Sequence, residues 1–175
     1  MAGDPTTYEH TYTSNGNAFV IMSINCRADV QGAGLPRKLI QAARAVAKEL
    51  GVNHLLGSFR PTDYGKYKLN HGNPGFEAYC KLQTAEGLPF DAWLRNLTRN
   101  GMIPIKTDEM AMQVTVGMDE LHDIMQLHKP YAWRQVTPGV LECGEVGSWY
   151  LDFSDKSATY RESNVWGELP IHTAS

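Results

Sequence analysis

The sequence predicts an α/β fold, and three observations carry that prediction. Residues 17–26, NAFVIMSINC, form an apolar run with β-branched members, as a strand buried on both faces does. A glycine corner, QGAGLP at 31–36, leads from that strand into a stretch striped with apolar residues at helical spacing. Strand-like segments, EMAMQVTVG at 109–117 and GVLECGEVGSWYLDFSD at 139–155, follow a mainly helical middle.

Residues 1–16 are polar and read as a loop with one short edge strand around Glu9–Thr13. The stripe over 36–50 comes from Leu39, Ala43, Val46, Ala47 and Leu50, with Arg, Lys, Gln and Glu on much of the remaining surface. Pro36 suits the first helical turn, where its missing N–H costs nothing, and Gly51 suits the C-terminal cap. VNHLLGSF at 52–59 is a second strand, which makes a βαβ unit with its strands side by side or nearly so. Residues 60–76, rich in Pro, Gly and Asn, read as an irregular insert of the kind that often forms a lid or binding loop. EAYCKLQTAEG reads as a short helix ending at Gly87, within an insert spanning 60–88. PFDAWLRNLTRNG at 89–101 reads as a helix capped by Asp91 and ended by Gly101. Beyond the strand at 109–117, MDELHDIMQLH at 118–128 is a helix with acidic residues in its first turn. Two strands round a glycine-rich turn follow over 139–155, and 159–175 is a closing strand or coil.

At 175 residues the chain is long enough for one domain with a real core and not comfortably two, so one domain over 1–175 is expected. A hydrophobic fraction of 42% and a charged fraction of 20% fit an ordinary soluble protein. The net charge of −3 gives no basic footprint for nucleic acid or an anionic membrane. No apolar run reaches the ~18 residues of a membrane span, and the first residues lack the basic start and apolar core of a secretory signal. Cys26, Cys80 and Cys143 are odd in number and far apart, which points to reduced thiols and a cytoplasmic setting. His122 and His128 are not at helical i,i+4 spacing, and neither HExxH nor CxxC occurs, so no metal is expected.

A loop between a strand and a helix N-terminus presents unpaired N–H groups, and the helix dipole adds partial positive charge. QGAGLP is therefore competent to hold a pyrophosphate, and equally competent as a plain tight turn. The nucleotide P-loop pattern is absent. The dinucleotide pattern fits at Gly32 and Gly34, but Arg37 stands at its third glycine and the next strand ends without an acid. The remaining reading resembles the coenzyme-A loop of the GNAT acyltransferases. That signature runs Arg or Gln, two residues, Gly, one residue, then Gly or Ala. Gln31, Gly32, Ala33, Gly34 and Leu35 fit it, and Pro36 departs from it, removing one N–H that could face the pyrophosphate.

The resemblance extends downstream. GSFRPTDYGKYK, GLPFDAWLRNLTRNGM, MAMQVTVG and YRESNVW are similar, in the same order, to blocks of a bacterial GNAT subgroup, so the likeness covers residues 17–166. It implies a mixed twisted sheet flanked by helices, with a splayed central pair of strands. It also implies acetyl-CoA or another acyl-CoA as co-substrate, held by Ile24, Asn25, Cys26, Gln31, Gly32, Ala33, Gly34, Leu35 and Arg37. Two departures stand out. Only about 16 residues precede the central strand, where the family has a strand–helix–helix–strand–strand region, so the chain is expected to be a fragment, N-terminally reduced, or completed by a partner. Leu97 stands where many members have an acidic tyrosine.

Acyl transfer to an amine needs a deprotonated amine, a polarised thioester carbonyl and a protonated leaving thiolate. A backbone N–H near Asn25 or Cys26 is the expected polarising group. His10 is the leading base because histidine titrates near neutrality, with Glu9 and Asp29 behind it. Tyr64 and Tyr67 are the leading acids and Tyr79 the third, although each tyrosine reads first as a packing residue. Lys38 and Arg60 join Arg37 as candidates for the phosphates. Cys26 has no evident histidine partner and reads as an inert thiol. The expected function is transfer of an acetyl or short acyl group to a small-molecule amine, in a homodimer or with a partner subunit completing the sheet. The alternatives are a GNAT-like binding module without transferase activity and, more weakly, a nucleotide-binding fragment.

Overall fold

The computed structural model describes residues 12–27, 29, 34–127 and 133–172. Strand β1 (Ala18–Ile21) is followed by helix α1 (Leu35–Glu49) and strand β2 (His54–Phe59), and β1 pairs with β2 in parallel. The βαβ unit thus stands as the sequence predicts, with its strands adjacent. Helix α1 buries Ile40 and Ala47, two turns apart. It ends at Gly51 (φ 66°), whose N–H donates to Lys48 O while Val52 N–H donates to Ala47 O. The prediction for 17–26 is corrected. Only four residues are strand, Ile21 alone is buried, and Met22–Arg27 leave the sheet. Among the described residues β1 is an edge strand, so the apolar run does not mark burial on both faces.

The irregular insert predicted at 60–76 is also corrected. Residues Tyr64–His71 form helix α2, and Phe76–Cys80 form a short helix α3. Gly65 sits inside α2 because the helix presses on the Gly144 carbonyl, where a Cβ would overlap it. That glycine reflects packing, not a turn, so composition misreads the segment. The helix predicted to run on to Gly87 stops at Cys80, and the chain turns through a bridge between Gln83 and Pro89. Helix α4 (Ala92–Arg99) agrees with its prediction. Asp91 caps it, Gly101 (φ 79°) closes it, and Leu94 and Leu97 face the core.

Strand β3 (Ile103–Gly117) is longer than predicted and runs into helix α5 (Met118–Leu127). Strands β4 (Arg134–Thr137), β5 (Val140–Glu142) and β6 (Ser148–Asp152) form a meander, of which β4 is not foreseen from the sequence. Strand β7 (Ser157–Glu168) is expected to close the sheet and instead lies at its centre. One edge of β7 pairs with β3 along its length. The other edge is divided: Val165–Glu168 pair with β2, and Ser157–Arg161 pair with β6. The result is a twisted seven-stranded mixed sheet, β1-β2-β7-β6-β5-β4 with β3 on the far side of β7.

Two cores follow from that division. One packs Ile40, Leu55, Leu97 and Val165 together with the aromatic rings of α2 and α3. The other packs Leu121 of α5 on Val116, Trp149, Ala158 and Tyr160. No helix among the described residues is long and apolar enough to cross a membrane.

Helix α2 ties the two halves of the sheet. Lys68, 1% exposed, places Nζ 3.2 Å from Glu142 Oε1 and donates to the Gly147 carbonyl at 3.2 Å. Arg134 donates to Glu142 Oε2 at 3.2 Å and to the Lys68 carbonyl at 2.9 Å. Desolvation pulls the Lys68 ammonium below its usual range. Burial opposes ionisation of Glu142, but the charges and hydrogen bonds of Lys68 and Arg134 outweigh it and hold the carboxyl below the usual carboxylate range.

Candidate functional site

The corner between β1 and α1 comes first because the sequence points there. His10, Gln31, Gly32 and Ala33 lie outside the described residues. Gly34 is the N-cap of α1 in the left-handed region (φ 71°), and no side chain caps the helix. The first turn holds no acidic residue and carries Pro36, Arg37 and Lys38. An anion at this end would meet the free backbone N–H of Leu35 and of Arg37, the helix dipole and two cationic side chains, with Pro36 contributing nothing. The residues present fit a phosphate.

Strands β1 and β2 pair over only four positions and part after Ile21↔Gly57. Past that point Ser58 and Phe59 pair with β7 and have no described partner on the β1 side. Ile24 packs on the core, Asn25 is exposed, and Cys26 is a half-buried free thiol. Asp29, the third base candidate, forms an exposed ion pair with Arg27 at 2.6 Å. Arg60 meets Glu162 Oε2 at 3.3 Å. Tyr160 Oη donates to Glu162 at 2.9 Å, and the Asn164 amide lies 3.2 Å from Ser58 Oγ.

The three candidate tyrosines have different surroundings. Tyr64 is buried, and its hydroxyl donates to Asn73 Oδ1 at 2.7 Å. Desolvation, followed by the nearby Glu142 charge, pushes its phenol up to about 12. Tyr79 is buried and donates to Asp91 Oδ2 at 3.0 Å, and burial beside that carboxylate pushes its phenol far up. Tyr67 is half-buried and forms part of the wall of an open cavity of about 600 Å³. Of the three, Tyr67 is the one whose surroundings include space for a ligand.

A second open cavity, of about 780 Å³, runs beside α1. Arg37, Arg44, Arg99 and His172 line it together with Asn100 and Pro170. Arg44 is anchored there by donating to the carbonyls of Pro170 and Asn100. Arg99, at the C-terminal end of α4, lines both cavities. The sequence reading missed Arg95 and Arg99, although their i,i+4 spacing already placed two guanidinium groups on one face of the predicted helix. Among the described residues, no group of three or more His, Cys, Asp or Glu side chains is placed to hold a metal ion.

A βαβ unit whose strands part beside a helix start, continued antiparallel through β7 and β3, defines a GNAT-like α/β fold. Among solved structures, the chain is similar to the loading GNATL domain of CurA from Lyngbya majuscula, with a TM-score of 0.54 and 16% identity. The match covers 96% of this chain and 63% of that one, so this chain spans less than two thirds of its neighbour's length. At such identity the likeness is one of fold. Neither a scan against protein-family models nor a search of curated proteins finds a match.

Proposed function

We propose that the chain is an acyl-CoA-dependent N-acyltransferase that moves an acetyl or short acyl group to the amine of a small molecule, in the cytoplasm. The observation that carries this reading is the start of α1. A left-handed Gly34, an uncapped first turn without acids, and Arg37 and Lys38 lie beside strands that part. The basic cavity along α1 supports it, because a phosphate chain there would run past Arg37 towards Arg99.

In this reading the first-turn N–H groups and Arg37 hold the pyrophosphate, and backbone near Asn25 or Cys26 polarises the thioester carbonyl. The amine attacks the carbonyl carbon, a C–N bond forms, the C–S bond breaks, and the departing thiolate takes a proton. Of the three candidate tyrosines, Tyr67 lines a cavity with space for that proton transfer. His10 remains the proposed base.

One observation favours a second reading, a binding module without turnover. Leu97, at the family's tyrosine position, is fully buried and has no ionisable proton to donate, while Tyr64 and Tyr79 are committed to Asn73 and Asp91. The test separates the two. Acetyl-CoA at about a hundred times its Kd adds about 2.7 kcal/mol of stability, read as a rise in melting temperature. Arg37→Glu weakens calorimetric binding by about tenfold or more. Release of free thiol in the presence of an amine panel identifies the transferase, and binding without release identifies the module. Neither heat nor a melting shift with acetyl-CoA at about millimolar concentration sinks both readings.

A further inference from the structure

The cavity between α2 and α4 has features that acyl-CoA does not account for. Its apolar wall is aromatic. Tyr67 stacks on His71 with ring centres 4.5 Å apart, and Phe90 meets Tyr67 edge-on at 5.7 Å. Phe90 is 42% exposed, so its ring is open to a ligand. Arg95 fixes the turn that carries it, donating to the carbonyls of Pro89 and Phe90 at 2.9 and 2.7 Å. The walls are fixed to each other as well. The buried Asp91 carboxylate accepts from the N-termini of α4 and α2 and from Tyr79 of α3.

The polar lining carries both signs of charge. Arg99 and Lys66 make no ion pair among the described residues, nor do Asp63 and Glu86. Hydrogen bonding within its own turn holds the Glu86 carboxyl below the usual range, and the positive charges of Arg99 and Arg95 add to that. The cavity lining therefore combines a carboxylate, Glu86, and a guanidinium, Arg99, with aromatic rings. A volume of about 600 Å³ lies within the range of small-molecule sites.

We infer that this cavity binds a zwitterionic aromatic molecule of the α-amino-acid class. Its ring lies on Phe90 and the Tyr67–His71 stack, its carboxylate meets Arg99, and its ammonium meets Glu86. A flat ring gains from stacking and burial, a carboxylate pairs with the guanidinium fork, and an ammonium gains from both the acid and the ring faces. The inference stands on the cavity alone and does not require acyl transfer.

The test is calorimetry on the full chain with L-tryptophan, tryptamine and indole-3-propionate as probes. L-tryptophan binds, and each probe lacking one charge binds about tenfold more weakly. Phe90→Ala and Arg99→Gln each weaken tryptophan about tenfold. Both side chains are exposed, so an unchanged melting temperature checks that the fold is intact. Absence of heat with all three probes overturns the inference, as does equal binding of the three or indifference to both substitutions. Tryptophan binding without acetyl-CoA binding upholds this site and removes the acyltransferase reading. The reverse result overturns this site and leaves the acyltransferase reading in place.

Discussion

Asp91 offers the sharpest test of how the cavity is built. The carboxylate is 1% exposed and accepts four hydrogen bonds. Oδ1 takes Trp93 N–H at 2.9 Å and Leu94 N–H at 3.0 Å, which caps α4. Oδ2 takes Asp63 N–H at 2.9 Å and the Tyr79 hydroxyl at 3.0 Å. Asp91→Ala removes the cap, worth about 1 kcal/mol. It also leaves the Asp63 N–H and the buried Tyr79 hydroxyl without an acceptor, at about 1–3 kcal/mol each. The expected loss is on the order of 3–7 kcal/mol. Asp91→Asn keeps an acceptor for the cap but sets an amide N–H₂ against the Asp63 N–H, so it costs about half as much. Urea unfolding with unchanged slope reads both values. A loss under about 1 kcal/mol for Asp91→Ala, or none for Asp91→Asn, refutes the reasoning, because the staple would then contribute no more than an exposed cap.

Lys68→Met takes from Glu142 its buried cationic partner, leaving the half-buried Arg134, and removes a donor from the Gly147 carbonyl, at an expected cost of about 3–5 kcal/mol in denaturant unfolding. The pair Lys68→Met with Glu142→Leu recovers part of that loss, because no buried charge from the pair is then left over. Acid unfolding should report Glu142. Its carboxyl is held below its ordinary value of about 4.5, so its contribution is fully present above about 4.5 and is lost as pH falls through the depressed value. Glu142→Gln flattens that limb in a pH series of melting temperatures. Gly65→Ala gains about 1 kcal/mol in helix propensity but drives a Cβ into the Gly144 carbonyl, so a net loss of about 1–3 kcal/mol is expected in thermal unfolding.

Much of the first half of the fold is legible in the sequence because its signals are local. Gly34, Pro36 and Gly51 mark the ends of α1, and Asp91 and Gly101 mark those of α4. Each acts through the geometry of a few adjacent residues. The insert is not legible for the opposite reason. Gly65 resembles a turn residue but is required by Gly144, far away in sequence, and Lys68 resembles surface charge but is neutralised by Glu142 and buried. The site divides in the same way. The helix start at Gly34 and Arg37 can be read in order along the chain, whereas the cavity of Tyr67, Glu86, Phe90 and Arg99 needs two helices and a turn brought together.

The sequence by itself determined the βαβ unit, the capped ends of its helices and the α/β class, since hydrophobic period and backbone chemistry act over a few residues. Only the tertiary structure decided that β7 lies at the centre of the sheet and splits one edge between β2 and β6. Strand order is set by which apolar faces find each other across many intervening residues, and no local pattern encodes that choice. The same long-range packing decided which of the candidate tyrosines face protein and which faces open space.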